Sequence, residues 1–129
     1  MTARIEHINF TVPDPDKTAK WLCDLFGWTV RWTGTAINDG YTVHVGGPDS
    51  YLAIYTGPGG APQTKIDNSY GQSGGFNHVG IVVDDLDTIE AGVKKLGFQT
   101  HSHADYEPGR RFYFHDDDGV EYEMVSYSD

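Results

Sequence analysis

The chain is predicted to be an α+β protein made of two copies of one βαβββ module. Three observations predict this: a repeat that sets histidine on histidine, a strand and a capped helix at the start of each copy, and three short strand candidates after each helix. The repeat emerges when Glu6-His7-Ile8-Asn9-Phe10-Thr11-Val12 is laid on Asn77-His78-Val79-Gly80-Ile81-Val82-Val83, and such periods decide the fold before any motif does. The same register aligns Asp14 with Asp85, Asp16 with Asp87 and Leu25 with Leu96, and a slip of one residue then aligns Gly27 with Gly97.

Each copy opens on an alternation of period two, the mark of a half-buried strand. Ile8, Phe10 and Val12 alternate with His7, Asn9 and Thr11, as Val79, Ile81 and Val83 alternate with His78, Gly80 and Val82. A helix follows in both. In the first copy Asp14 is the N-cap, Pro15 stands in the first turn, Ala19, Leu22 and Phe26 recur at helical spacing, and Gly27 is the stop. Asp85, then Leu86, Ile89, Val93 and Leu96, then Gly97 repeat the pattern. Strand candidates follow at 28–33, 41–45 and 51–56, and again at 98–103, 111–115 and 120–127. Module one therefore covers 1–56 and module two 76–129, within a single domain of 1–129. Residues 57–75, rich in Gly, Pro, Ser and Asn, read as a long connecting loop, a type of segment that often carries function.

Bulk properties exclude several classes. A length of 129 residues fits one domain with a real core. No stretch approaches the roughly 18 consecutive apolar residues of a membrane span, so no membrane partner is expected. Met1 to Ile5 run directly into a strand pattern, without the parts of a secretory signal, and the expected location is cytoplasmic. The net charge of −10 and the scattering of the nine Lys and Arg residues argue against nucleic acid. Cys23, the single cysteine, cannot form a disulfide within the chain and reads as a small hydrophobe on a helix.

Alternation also sorts the candidate ligands. If Ile8 and Val79 face their helices, His7 and His78 point to the opposite face of the sheet. In the last strand Tyr122 and Met124 continue the helix-facing set, which leaves Glu121, Glu123 and Val125 on the histidine face. One histidine in a strand is more often a hydrogen-bonded core residue than a ligand. Equivalent histidines in two repeats, with a carboxylate on the same face, instead suggest a metal site with positions left open for chemistry.

These stretches, together with Ile5-Glu6-His7-Ile8-Asn9-Phe10, the run from Asn77 to Leu86 and the run from Phe112 to Glu123, resemble the vicinal oxygen chelate superfamily. That group includes glyoxalase I, methylmalonyl-CoA epimerase, extradiol ring-cleaving dioxygenases, fosfomycin resistance enzymes and bleomycin-binding proteins. The resemblance spans nearly the whole chain. It implies paired modules forming a cupped, partly closed mixed sheet with helices outside, often in a homodimer whose cup is formed within one chain or across two. It also implies a divalent metal on His7, His78 and Glu123: Fe, Mn, Zn, Ni or Co, with Fe(II) or Mn(II) favoured. The fourth ligand place of the family falls on Ala53, which cannot bind a metal, and this departs from the pattern of glyoxalase I.

Two histidines and one glutamate are the set expected of extradiol dioxygenases, and Phe112-Tyr113 with Asp116 to Glu123 nearly matches their signature. Asp117 stands where that signature has proline, and His103 sits one residue too far upstream. The resemblance gives Tyr113 a contact to a substrate oxygen and His103 the part of acid or base. Tyr51 and Tyr55 share the face of Ala53 and, with His44, are candidates to line a substrate pocket. The run Asp116-Asp117-Asp118-Gly119 reads as a hairpin turn, and of Arg110 and Arg111 at most one can enter the cup.

The leading expectation is thus a metal-dependent enzyme acting on a small substrate that chelates the metal through vicinal oxygens, with a lean toward extradiol ring cleavage. The alternatives are a glyoxalase-like lyase or isomerase, and a metal-free small-molecule binding protein of the bleomycin-resistance type, its cup lined by Trp21, Trp32, Tyr51 and Tyr55. Thiol transfer to fosfomycin would need a basic cluster that the sequence does not offer.

Overall fold

Asp14 and Asp85 each start a helix in the computed structural model. The Asp14 carboxylate accepts the N–H of Lys17 at 3.2 Å ahead of α1 (Pro15–Phe26). That of Asp85 accepts the N–H of Thr88 at 3.1 Å and its hydroxyl at 2.7 Å ahead of α2 (Leu86–Lys95). Gly27 ends α1 in the left-handed region at φ 71, with its N–H on the Cys23 carbonyl at 2.9 Å. Gly97 takes the same region at φ 94 one residue sooner after its cap, which is the slip seen in the repeat.

The structure describes residues 2–60, 66–107 and 109–127, and the chain divides into two units, 1–64 and 65–129. In the first, α1 lies against a four-stranded mixed sheet of β1 (His7–Thr11), β2 (Thr29–Ala36), β3 (Gly40–Gly46) and β4 (Tyr51–Thr56). The order is β1-β4-β3-β2, with β1 parallel to β4 and the other pairs antiparallel. The second unit repeats this with β5 (His78–Val82), β6 (Thr100–Tyr106), β7 (Gly109–His115) and β8 (Glu121–Ser126), in the order β5-β8-β7-β6, and with α2. A parallel pair cannot be joined by a hairpin, so each module sends its helix and two strands between its first and last strand.

Phe10, Val12, Leu22, Val43, Val45 and Ile54 are buried in the first unit. Val79, Ile81, Val93, Phe112, Phe114, Tyr122 and Met124 are buried in the second, where Phe114 stacks on Tyr122 at 5.1 Å between ring centroids. The strand residues among these are the helix-facing sets of the alternation, except that Ile8, expected with Phe10 and Val12, is exposed. Burying a Phe, Leu or Val side chain contributes about 1.5–3 kcal/mol, so this face holds each sheet to its helix and leaves the other face free for polar groups.

Two strands run beyond their expected ends. The 28–33 candidate extends to Ala36, and the 98–103 candidate starts at Thr100 and continues to Tyr106. Both are outer strands of their sheets, held by one neighbour, so the backbone ladder continues where apolar alternation has stopped. The connecting loop of 57–75 contains a single-turn 3-10 helix, Ser69–Gly71; its positions 61–65 lie outside the described residues. Cys23 is half-buried, and desolvation pushes its thiol up, away from the thiolate form. Among the described residues no helix is long and apolar enough to cross a membrane.

Candidate metal centre

The register of β5 on β8 sets His78 opposite Glu121 and Gly80 opposite Glu123. All point to the face away from α2, and Gly80, having no side chain, leaves the space above Glu123 to the histidine. His78 Nε2 lies 3.2 Å from Glu123 Oε1. On the other side of the ring, Nδ1 is 2.9 Å from the Tyr70 hydroxyl, which itself donates to Glu121 Oε1. A hydroxyl has one proton, so with that proton on Glu121 the Tyr70 oxygen accepts from His78 Nδ1–H. In the neutral ring the lone pair is then at Nε2, facing a carboxylate oxygen. Two acceptors at that distance need a proton or a cation between them, and an imidazole oriented through its other nitrogen is how metal-binding histidines are held. His78 and Glu123 are thus two donors of the kinds that a divalent metal takes.

Glu123 is supported from behind. Its Oε2 accepts from Arg111 Nη1 at 2.8 Å, and both side chains are largely buried, at 12% and 14% exposure. Tyr113, the register partner of Glu123 on β7, meets the His78 ring edge-on at 5.6 Å. Burial, then a hydrogen bond to Glu123, push the Tyr113 hydroxyl up, so it stays a donor at neutral pH. The Tyr70 hydroxyl is pushed up to about 12, first by its bond to Glu121 and then by burial.

Further along the same face, β6 and β7 add two histidines. His101 Nε2 is 3.0 Å from His115 Nδ1, and His115 Nε2 is 3.6 Å from Glu121 Oε2. One nitrogen or oxygen from each of His101, His115 and Glu121 can be chosen so that all lie within 4.8 Å of one another.

In the first unit His7 sits opposite Tyr51 and stacks on it at 5.0 Å, and Tyr51 stacks on His44 at 4.6 Å. Trp32 follows at 5.2 Å from His44, and the Arg31 guanidinium lies 4.5 Å over the Tyr51 ring. Glu6 accepts from the Tyr51 hydroxyl at 3.1 Å and lies 2.9 Å from His7 Nδ1; its carboxyl is lowered first by the bond to His7 and then by that to Tyr51. Burial pushes His44 down, toward the neutral ring. Ala53 is the partner of Asn9, as Glu123 is of Gly80, so the absent fourth ligand falls where the repeat places it.

The site residues expected from sequence thus separate into groups. His78, Glu123 and Tyr113 come together in the second unit; His7, Tyr51 and His44 come together in the first. Tyr55 shares their face, yet its hydroxyl donates to the Ile37 carbonyl at 2.8 Å and braces a turn. His103 goes elsewhere. A bulge between His101 and Ala104, with Ser102 at φ 56, turns His103 to the helix side, where it bonds Glu90 of α2 and stacks on Phe112 at 5.9 Å. An acid or base beside Tyr113 is therefore not supplied by His103. Trp21 is buried on α1 rather than facing with Trp32. Arg111 enters the face while Arg110 pairs with Asp87 of α2, the split that alternation requires. Asp116 accepts from the N–H groups of Asp118 and Val120 at 2.9 and 3.0 Å, which makes its run a hairpin turn.

Sequence reasoning missed Tyr70, because a loop residue carries no periodic signal. It also missed His101 and His115, although His115 lies two residues from Tyr113 and so shares its face.

A family model described as the Glyoxalase/Bleomycin resistance protein/Dioxygenase superfamily matches residues 4–124. No curated protein sequence matches the chain. Among solved structures, a glyoxylase/bleomycin resistance protein/dioxygenase domain from Frankia sp. EAN1pec is 20% identical, with a TM-score of 0.80, covering 99% of this chain and 100% of that one. The trypanothione-dependent glyoxalase I of Leishmania major is 21% identical, with a TM-score of 0.77, over 97% of this chain and 87% of that one. TnmS3, an antibiotic binding protein from Streptomyces sp. CB03234, is 17% identical, with a TM-score of 0.74, over 98% of each chain. With the family model covering nearly its whole length and both βαβββ modules in place, this chain belongs to the glyoxalase/bleomycin resistance/dioxygenase superfamily.

Proposed function

We propose that the protein is a metal-dependent enzyme whose small substrate presents two neighbouring oxygens to a divalent ion held by His7, His78 and Glu123. The observation that carries this is the 3.2 Å approach of His78 Nε2 to Glu123 Oε1, with Nδ1 engaged by Tyr70. The ion would supply a Lewis acid for charge developing on the substrate oxygens. The chain's own groups do the rest. Tyr70 and Glu121 fix the tautomer and orientation of His78, Arg111 orients Glu123, and the protonated Tyr113 hydroxyl exchanges its bond to Glu123 for one to a substrate oxygen. His7 is the third ligand by its place in the repeat, from this chain or a second copy in a homodimer. Within this chemistry the order Phe112-Tyr113 then Glu123, with a two-histidine, one-carboxylate set, favours extradiol ring cleavage over isomerase or lyase chemistry, for which a second carboxylate at position 53 would be wanted.

A second reading has its own support. The ladder of His7, Tyr51, His44 and Trp32, exposed at its two ends and half-buried between, offers rings to a flat aromatic molecule, as a metal-free binding protein would.

Elemental analysis of tag-free protein purified without chelator, beside His78→Ala, separates the two. Stoichiometric metal that disappears in the variant is the expected result, and metal-free protein that still binds aromatics would overturn the enzyme. If iron is present, anaerobic addition of catechols should perturb its spectrum; failure of every catechol tried would sink ring cleavage while leaving the metal site.

A further inference from the structure

We propose that His101, His115 and Glu121 form a second cation site, distinct from that of His78 and Glu123, selective for a borderline transition metal such as zinc, cobalt or nickel. Two imidazoles and one carboxylate suit that class of ion rather than magnesium or calcium, which prefer oxygen alone.

The geometry is close to what an ion needs. On a tetrahedral ion with bonds of about 2.0–2.1 Å, ligand atoms stand about 3.3–3.4 Å apart. His101 Nε2 and His115 Nδ1 are at 3.0 Å, the 3.6 Å approach to Glu121 Oε2 is made by the other nitrogen of His115, and one atom from each residue can be chosen with all three within 4.8 Å of one another. His115 is about half exposed, with 49% of its side chain open to solvent, so its ring can turn to close the difference, while Glu121, at 13%, is held fixed.

The supporting shell is also present. His101 Nδ1 is 2.9 Å from the Ser102 hydroxyl, which leaves Nε2 for the ion. Ser102 reaches that position from a bulge at φ 56, a conformation unfavourable for a non-glycine residue. Glu121 divides its oxygens: Oε1 takes the Tyr70 hydroxyl on the His78 side, and Oε2 faces His115. The second site therefore needs neither His78 nor Glu123.

The duplication supplies a control within the chain. By strand register the first module places Trp32, Gly46 and Tyr51 where the second places His101, His115 and Glu121. None of the three can act as a metal ligand of this kind. The cluster is therefore particular to the second module and is not a by-product of the repeated fold.

The test is a Co(II) titration of tag-free, chelator-stripped protein, read by visible absorption and by metal retained after dialysis. Four chains are compared: wild type, His101→Ala/His115→Ala, the milder His115→Gln, and His78→Ala/Glu123→Ala, each with a circular dichroism melt to confirm folding. Two equivalents are expected in the wild type and one in each double variant, with weakened binding of one equivalent in His115→Gln. Retention of the wild-type stoichiometry in His101→Ala/His115→Ala overturns the second site and leaves the His78 centre standing. A single equivalent lost only in His101→Ala/His115→Ala supports this site and sinks the His78 centre. A single equivalent lost in both double variants means one merged site and overturns the proposal, as does the absence of any binding.

Discussion

Ala53 and Glu123 hold the same station in the two modules. Ala53 is the register partner of Asn9, two residues beyond His7, and Glu123 that of Gly80, two residues beyond His78. The duplicated scaffold thus offers two carboxylate positions and this chain fills one.

Ala53→Glu tests this. Ala53 is buried, at 3% exposure beside His44, so a larger charged side chain should destabilise the metal-free protein by about 1–3 kcal/mol. Added Mn(II) or Zn(II) should recover part of the loss, giving a wider gap between metal-loaded and metal-free melting temperatures than in the wild type. An unchanged gap would show that a carboxylate at position 53 reaches no metal ion.

Arg111→Met should move stability and metal affinity in opposite directions. The guanidinium neutralises a largely buried Glu123 at 2.8 Å, so its loss should lower the urea midpoint of the metal-free protein. It also competes with a bound cation for the charge of that carboxylate. Its removal should therefore tighten metal binding by about tenfold in competition with a chelator. Weaker binding in the variant would mean that the arginine serves the site by orienting Glu123 more than it opposes the ion.

Asp116 gives a prediction in pH. Burial is the main reason its carboxyl is raised from 3.8 to about 6. Because the folded state holds this proton more tightly than the unfolded chain, the associated stability is full below about pH 4 and is lost as pH rises through 6. A shift of about two units corresponds to about 3 kcal/mol. Asp116→Asn keeps a neutral acceptor for the Asp118 and Val120 N–H groups, so it should be more stable than wild type at pH 7.5 and show no such decline between pH 4 and 6. Melting curves of both proteins across that range are the measurement, and parallel curves would refute the assignment.

Much of the architecture was legible because it rests on local rules. Asp14 and Asp85 cap, Gly27 and Gly97 terminate, and alternation puts Phe112, Phe114, Tyr122 and Met124 under α2 while His78, Tyr113 and Glu123 face away. These are properties of neighbours in sequence, and the repeat states them twice. His103 escaped because a single inserted residue reverses the side on which a strand side chain emerges, and no composition signal marks such an insertion. Tyr70 escaped because its partner Glu121 is 51 residues away, joined only by the fold. Tyr55 was placed on the correct face but not with its correct partner, since the carbonyl of Ile37 belongs to a turn whose course alternation does not describe.

The bulge in β6 makes that strand unusual material for change. His101 and Ala104 face the same way on either side of it, so removing Ser102 would shorten the strand without inverting anything beyond. Within the sheet β6 pairs with β7 alone, so the adjustment would fall on that pairing and on the contacts of Thr100 and His103 with Glu90 of α2, and His78 on β5 and Glu123 on β8 would keep their places. Length can be gained or lost at this edge while His78 and Glu123 stay still, so a change in β6 would alter the surroundings of His101 and leave the other pair intact.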